Sequence, residues 1–245
     1  MNCFNQEEKC ILSTRPKPDA LNDCKVLSLK GIKAYPSPSM VVHYNKQKIN
    51  NLKYDAIIFT SRHAVKSVLK ESYNHKIPIF CVGSSTAKIV RNHGGEIVFV
   101  GNSDSQQLSK IILDNLKKES KVLWATNEDA SEKFSNELKK NNIFVIRENI
   151  YFTSPNSKLD FKSKELIKNG RVKVVLFFSN RSAEIWLNII KKEKLINKIK
   201  HISFVSINSE IAKLLSEREG LKCFASKRKR RASVLAKAIE IYKGF

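Results

Sequence analysis

Apolar residues fall into short blocks of four to seven along the chain, rich in Val, Ile and Phe. Segments between them repeat apolar positions every three to four residues. Blocks of the first kind predict strands buried on both faces, and segments of the second kind predict amphipathic helices. Their alternation is the signature of βαβ units around a parallel sheet. The first strand is read at 10–13, closing in Thr14-Arg15-Pro16, followed by a helix at 19–29 that Gly31 ends and a strand at 32–35. Pro36-Ser37-Pro38 then breaks the pattern, and 40–44 reads as an extended connection, so a domain crossing is placed there.

A closed series follows. Strands are predicted at 55–59, 77–82, 96–100 and 121–125, helices at 64–71, 85–93, 105–117 and 130–141, and an extended run at 144–153. The theme then returns with helices at 162–168, 182–191, 209–218 and 233–242, and strands at 172–178, 202–206 and 222–225. This last series lacks a first strand, which the N-terminal βαβ segment supplies. The expected organisation is therefore a discontinuous domain of residues 1–38 and 154–245, with a second α/β domain of residues 39–153 inserted and two extended linker strands between them.

Internal similarity points the same way. Ile57–Leu69 (IIFTSRHAVKSVL) matches Leu176–Leu187 (LFFSNRSAEIWL), and Phe80–Val90 (FCVGSSTAKIV) lines up with Phe204–Leu214 (FVSINSEIAKL). A period above 100 residues means domain duplication and not a solenoid. Two such domains joined by two strands leave a cleft, where the active site is expected.

Composition narrows the class. The 245 residues carry 45 Lys+Arg against 23 Asp+Glu, a formal charge of +22, with 42% hydrophobic residues. No run approaches the roughly 20 apolar residues of a membrane span. The N-terminus MNCFNQEEKC lacks the apolar region of a signal peptide, so a cytoplasmic protein with no membrane partner is expected. Five cysteines (Cys3, Cys10, Cys24, Cys81, Cys223) contain no C-x-x-C pair. The histidines His43, His63, His75, His93 and His201 show no metal-ligand spacing, so neither a disulfide framework nor a metal site is expected.

The positive charge has two readings, an acidic partner or lysine-rich compositional drift. Lysines are spread along the whole chain, and only Lys227-Arg228-Lys229-Arg230-Arg231 forms a dense run. Without interleaved aromatics or an RNA- or DNA-binding motif, nucleic acid is not the expected partner.

Nucleotide and hydrolase signatures (G-x-G-x-x-G, Walker A, G-x-S-x-G, H-E-x-x-H) are absent. What recurs is a strand ending in a hydroxyl-bearing turn that opens a helix: Thr60-Ser61, Ser84-Ser85-Thr86, Ser179-Asn180 and Asn208-Ser209. Each has an ordinary explanation as a helix N-cap. As a set they mark the carboxyl edge of a parallel sheet, where ligands bind and free helix N–H groups favour anions. Arg15 and Arg62 follow strand-end hydroxyls and can grip a carboxylate with two bonds, or remain solvated surface arginines.

The order Ser13-Thr14-Arg15-Pro16, Phe59-Thr60-Ser61-Arg62-His63-Ala64-Val65, Val82-Gly83-Ser84-Ser85-Thr86-Ala87 and Tyr151-Phe152-Thr153 resembles the uroporphyrinogen-III synthase family. The resemblance continues through Phe178-Ser179 and the helix after Ser209, covering nearly the whole chain. It implies two flavodoxin-like parallel-sheet domains, one discontinuous, linked by a two-stranded ladder around the cleft. It also implies a cofactor-free lyase, working as a monomer. Such an enzyme closes the linear polycarboxylate tetrapyrrole hydroxymethylbilane into uroporphyrinogen III with ring D inverted and water lost.

By the same resemblance Tyr151 is the expected catalytic residue, its neutral phenol donating toward the leaving hydroxyl. The alternative is a tyrosine that only packs between domains. Substrate-binding positions carried over or read from the turns are Thr14, Arg15, Thr60, Ser61, Arg62, Gly83, Ser85, Thr86, Ser179, Asn180 and Ser209. The second repeat departs from the family pattern at Ser206-Ile207-Asn208-Ser209. There Ser206 places a side chain where backbone is expected to approach a ligand. Rival readings are a degenerate homologue that binds a tetrapyrrole or small anion without turnover, and a basic nucleic-acid-binding protein.

Overall fold

In the computed structural model, residues 8–45, 54–69, 76–95, 98–101 and 105–244 are described. The expected end of the helix at 64–71, the start of the strand at 96–100, Cys3 and His75 lie outside them. The elements run β1 (Cys10–Ser13), α1 (Lys17–Ser28), β2 (Ala34–Pro36), β3 (Met40–Tyr44), β4 (Ala56–Phe59), α2 (Val65–Val68), β5 (Ile79–Val82), α3 (Ser84–Asn92) and β6 (Val98–Gly101). They continue with α4 (Ser105–Asn115), β7 (Lys121–Asn127), α5 (Lys133–Lys140), β8 (Phe144–Pro155), α6 (Phe161–Lys168), β9 (Val172–Phe177) and α7 (Asn180–Lys192). The last are α8 (Ile196–Ile199), β10 (Ser203–Ser206), α9 (Ser209–Glu219), β11 (Lys222–Ala225) and α10 (Arg231–Lys243).

Two differences from expectation have local causes. Helix α1 begins at Lys17, ahead of the predicted Asp19, because Pro18 sits in the first turn, where a missing N–H costs nothing. Helix α2 ends at Val68, with Leu69 already outside helical geometry (φ −88°, ψ 85°). Its two β-branched valines are poor helix formers, and they are held by burial.

The chain divides into two units, Met1–Val41 with Ser154–Phe245, and Val42–Thr153. Strands β3 and β8 both cross this division and are neighbours in one sheet. Asn156 N donates to Ser39 O and Asn45 N to Ile150 O, so the pair runs antiparallel.

The first unit holds a five-stranded sheet in the order β11-β10-β9-β1-β2, every pair parallel. Numbered within the unit this is 2-1-3-4-5, the flavodoxin order. The second unit's sheet is β3-β8-β7-β4-β5-β6, with β4 to β8 all parallel. Numbered from β4 its core is 3-2-1-4-5, the other doubly wound order, so the flavodoxin expectation is corrected for this unit. The two orders coincide in space when β9, β10, β11, β1 and β2 are set against β4, β5, β6, β7 and β8. That correspondence places Ile57–Leu69 against Leu176–Leu187, as the sequence similarity does.

Each sheet is covered on both faces, which is why inner strands such as β4 (AIIF) and β5 (IFCV) read as unbroken apolar runs. Along β9, Val172, Val175 and Phe177 join the cluster around Trp186 and Phe204. Val174 and Leu176 face the opposite layer with Ile11, Leu27 and Val234. Strand β4 divides likewise, Ile57 and Phe59 to one side, Ala56 and Ile58 to the other. The four described cysteines are free; burial raises Cys10 and Cys24 to about 11 and Cys81 and Cys223 to about 12, so they are protonated packing groups. Among the described residues no helix is long and apolar enough to cross a membrane.

Candidate active site

Because the first unit's strands, and β4 to β8 of the second, are parallel, their carboxyl ends lie at one edge of each sheet, and the hydroxyl turns emerge there. In the second unit β4 delivers Thr60 to His63. Thr60 is committed to the scaffold: its Oγ1 accepts from Trp124 Nε1 at 3.3 Å and lies 3.4 Å from Thr126 Oγ1. Ser61 Oγ accepts from His63 N at 3.3 Å and shares a hydrogen bond with the Tyr151 hydroxyl. Arg62 is half-buried in the same turn.

Tyr151 reaches this turn from β8 and is only 6% exposed. Burial pushes its phenol above the ordinary value of 10, with the Ser61 hydrogen bond opposing and the nearby Asp129 charge adding to the rise. Two aromatic rings stand beside it. The His63 centroid is 5.5 Å away and that of Tyr44, from β3, is 6.5 Å away. Tyr44 Oη lies 3.4 Å from His63 Nδ1. The sequence therefore named Tyr151 and Ser61 but missed Tyr44 and His63. The signal for Tyr44 was the pairing of the two extended segments, since it stands beside the strand that carries Tyr151.

The next turn, after β5, is held open by Gly83 (φ 79°, ψ 145°), a conformation reserved for glycine. Gly83 N donates to Gly101 O at 2.8 Å, pinning the turn to the end of β6. No side chain caps α3, which corrects the N-cap explanation for Ser84-Ser85-Thr86. Ser84 and Ser85 are exposed beside the helix N-terminus, while Thr86 is 4% exposed. Gly83→Ala is expected to cost about 1–3 kcal/mol of backbone strain, because its Cβ meets no atom within 4 Å and the penalty is purely conformational. A thermal melt reads this directly, and an unchanged midpoint would refute it.

At the first unit's edge several expectations change. Thr14 is fully buried, its Oγ1 donating to Leu176 O at 2.7 Å and lying 3.1 Å from Ser182 Oγ; Ser182 Oγ is 2.7 Å from Ser39 Oγ. This hydroxyl knot ties strand ends together, so Thr14 is removed from the ligand-binding set. Arg15 is not a solvated arginine. Its Nη2 meets Asp19 at 2.5 Å, Nη1 is 3.5 Å from the fully buried Asp23, and the guanidinium lies 4.9 Å from the Phe178 ring centroid. Desolvation lowers its pKa and Asp23 works against that.

Ser179 caps α7 through Ser182 N at 3.1 Å, and Asn208 caps α9 through Ile211 N at 3.1 Å, so both turns follow the ordinary explanation. Asn180 and Ser209, the first residues of these helices, are exposed. Ser206 does not project toward a ligand: its Oγ turns back to Asn208 O at 2.7 Å and is buried. The basic run follows β11 at the same edge. Ser226 Oγ donates to Arg228 O at 2.8 Å, residues 227–230 are exposed, and Arg231 Nε meets Asp23 at 2.5 Å.

Cavities of about 510 Å³ (lined by Cys24, Lys25 and Tyr35 among others) and about 540 Å³ (lined by Lys139, Ile143 and Phe144 among others) open near the amino ends of β2 and β8, away from these turns. Among the described residues no three His, Cys, Asp or Glu side chains come together to hold a metal.

Comparison with known proteins accounts for this arrangement. The profile of Uroporphyrinogen-III synthase HemD matches residues 25–236. Among solved structures, uroporphyrinogen-III synthetase from Helicobacter pylori superposes with a TM-score of 0.63 at 18% identity, over 95% of this chain and 99% of that one. A mutant uroporphyrinogen III synthase from the extremely thermophilic bacterium Thermus thermophilus gives 0.51 at 12% identity, over 97% and 100%. Comparison with curated proteins finds no match. The structural likenesses carry the α/β fold with its parallel sheets, and the profile, spanning most of the chain from α1 into α10, carries the family: this chain belongs to the uroporphyrinogen-III synthases.

Proposed function

We propose that the protein is a cyclising lyase that turns hydroxymethylbilane into uroporphyrinogen III, acting as a cytoplasmic monomer in tetrapyrrole biosynthesis. The family match over residues 25–236 carries this reading. The strand orders support an origin by duplication, each unit having its own carboxyl edge.

The substrate is rich in carboxylates, and the edges are suited to them. The uncapped N-terminus of α3 presents the N–H groups of Ser84 and Ser85 and the positive dipole end. In the first unit Asn180 and Ser209 are exposed polar groups at the starts of α7 and α9, and the exposed cations of 227–230 add positive charge at the same edge. In the reaction, the terminal hydroxyl leaves as water to give an azafulvene. Ring D then attacks through its substituted position, and fragmentation and recombination of the spiro intermediate invert it. The protein folds the chain into an attacking conformation, assists the departure and disfavours direct closure.

Tyr151 is buried and neutral, so it donates a hydrogen bond to the leaving hydroxyl, and Ser61 fixes its direction. Incubating the protein with hydroxymethylbilane generated in situ and separating the product isomers by chromatography tests the reading; isomer III is expected, and isomer I alone would overturn it. Tyr151→Phe is expected to lower kcat about tenfold, the loss of one hydrogen bond worth about 1.4 kcal/mol, with the fold unchanged. An unaltered kcat reduces Tyr151 to a packing residue.

A further inference from the structure

The juxtaposition that the family reading leaves unused is His63 between Tyr44 and Tyr151. It is a half-buried imidazole in the turn that opens the candidate site, 5.5 Å from one phenol ring and 3.4 Å, through Nδ1, from the hydroxyl of the other. We propose that His63 is a catalytic residue, the acid that protonates the departing hydroxyl, while Tyr151 orients that hydroxyl. The inference rests on the synthase reading and deepens it.

The argument is one of acid strength. Full proton transfer from Tyr151 leaves a phenolate where burial already disfavours charge. An imidazolium, with an ordinary value near 6.5 against about 10 for a phenol, is stronger by roughly three orders of magnitude. It also leaves a neutral ring behind, and proton transfer is most effective from a group whose pKa lies near the working pH. The placement is right as well. Ser61 Oγ accepts the His63 backbone N–H and also bonds Tyr151, so one hydroxyl fixes both the turn and the phenol. Tyr44, 49% exposed, anchors the ring from the side of β3.

The balance closes. The proton passes from the imidazolium to the hydroxyl oxygen, and the C–O bond breaks with its electron pair on oxygen, releasing water. The pyrrole nitrogen lone pair then fills the vacated carbon. The neutral imidazole recovers a proton released when the new pyrrole ring regains aromaticity, so the cycle consumes no acid. Among the described residues, the titratable and charged groups at the ring include Tyr44 from β3, Tyr151 from β8 and Arg62 in its own turn, and the charge of Asp129 after β7 acts on Tyr151. The two phenols remain neutral through the range where an imidazole titrates.

The test is a pH profile of isomer III formation. In the unaltered protein kcat falls as pH rises through the imidazole range. His63→Gln, which keeps hydrogen bonding and cannot titrate there, lowers kcat about 100-fold at pH 7 and flattens the profile between about pH 6 and 8. His63→Ala regains at least tenfold on addition of free imidazole, which separates chemical loss from misfolding. A His63→Gln rate within twofold of the parent, the parent's alkaline fall retained in the variant, or no rescue by imidazole each overturns the role of His63. Those outcomes leave isomer III as the product. Failure of the synthase reading shows instead as isomer I from the unaltered protein.

Discussion

Replacing Asp23 by alanine is expected to lower the unfolding free energy by about 3 kcal/mol. The Asp23 side chain is fully buried, yet three partners converge on it, from β1, the turn after it and α10. Ser13 Oγ donates to Oδ2 at 2.7 Å, Arg231 Nε reaches Oδ1 at 2.5 Å, and Arg15 Nη1 lies 3.5 Å away. Removing one member of a buried ionic group leaves the others charged without compensation, which costs about 3–5 kcal/mol. The low end applies because the Arg231 side chain is 37% exposed and water takes up part of the loss. Arg231→Ala is expected to cost much less, since Asp23 keeps Ser13 and Arg15. The double variant is expected to be more stable than the sum of the two losses predicts. Urea denaturation of the four proteins measures this, and strictly additive losses would remove Asp23 as the joint between α1 and α10. The functional reach follows from position: Arg231 ends the exposed basic run, so Asp23 fastens that run to the carboxyl edge on which Arg15 also lies.

The inner strands were legible because both faces of a parallel sheet are buried, so β4 and β5 show as apolar runs of four residues bounded by turn residues, too short for buried helices. The order of those strands was not legible. Similar blocks sit at β4 and β9, but the chain enters the parallel core of the second sheet at β4 and the first sheet at β1, which corresponds to β7; the same spatial order therefore has two chain orders. In the site, strand-end hydroxyls marked the carboxyl edge, and the resemblance singled out Tyr151. What a hydroxyl does once there depends on neighbours far along the chain. Thr14 is spent on Leu176, 162 positions away, and Thr60 on Trp124, 64 positions away. His63 and Tyr44 become a pair only through the antiparallel run of β3 and β8. Asp19 and Asp23 stand four apart on one face of α1, but carboxylates at that spacing usually face water, and burial came from Arg231, 208 positions on.

Truncating Trp186 to alanine is expected to cost about 3–5 kcal/mol, the range for emptying a fully buried aromatic position. Trp186 is completely buried on α7 and packs edge-on against Phe177 of β9 (5.6 Å between centroids) and Phe204 of β10 (6.1 Å). These two rings are themselves stacked at 6.1 Å, so no small side chain nearby can move in to fill the space. Its Nε1 also donates to Ser37 Oγ at 3.2 Å, and Ser37 is 1% exposed, so the variant strands a buried hydroxyl. Trp186→Phe restores most of the volume and leaves only that hydroxyl unmet, for a loss of about 1–2 kcal/mol. The chain's other tryptophan makes the same bond in the second unit: Trp124 Nε1 donates to Thr60 Oγ1 while its ring meets Phe134 at 5.2 Å. In both units one indole thus spans from the apolar layer to a hydroxyl just beyond a strand end, joining the core to the edge where the candidate site lies. Trp186→Ala should therefore lower activity through the Ser179 turn at the start of α7 as well as through stability. Denaturant midpoints give the stability, and a loss below about 2 kcal/mol would show that the layer can collapse around the gap.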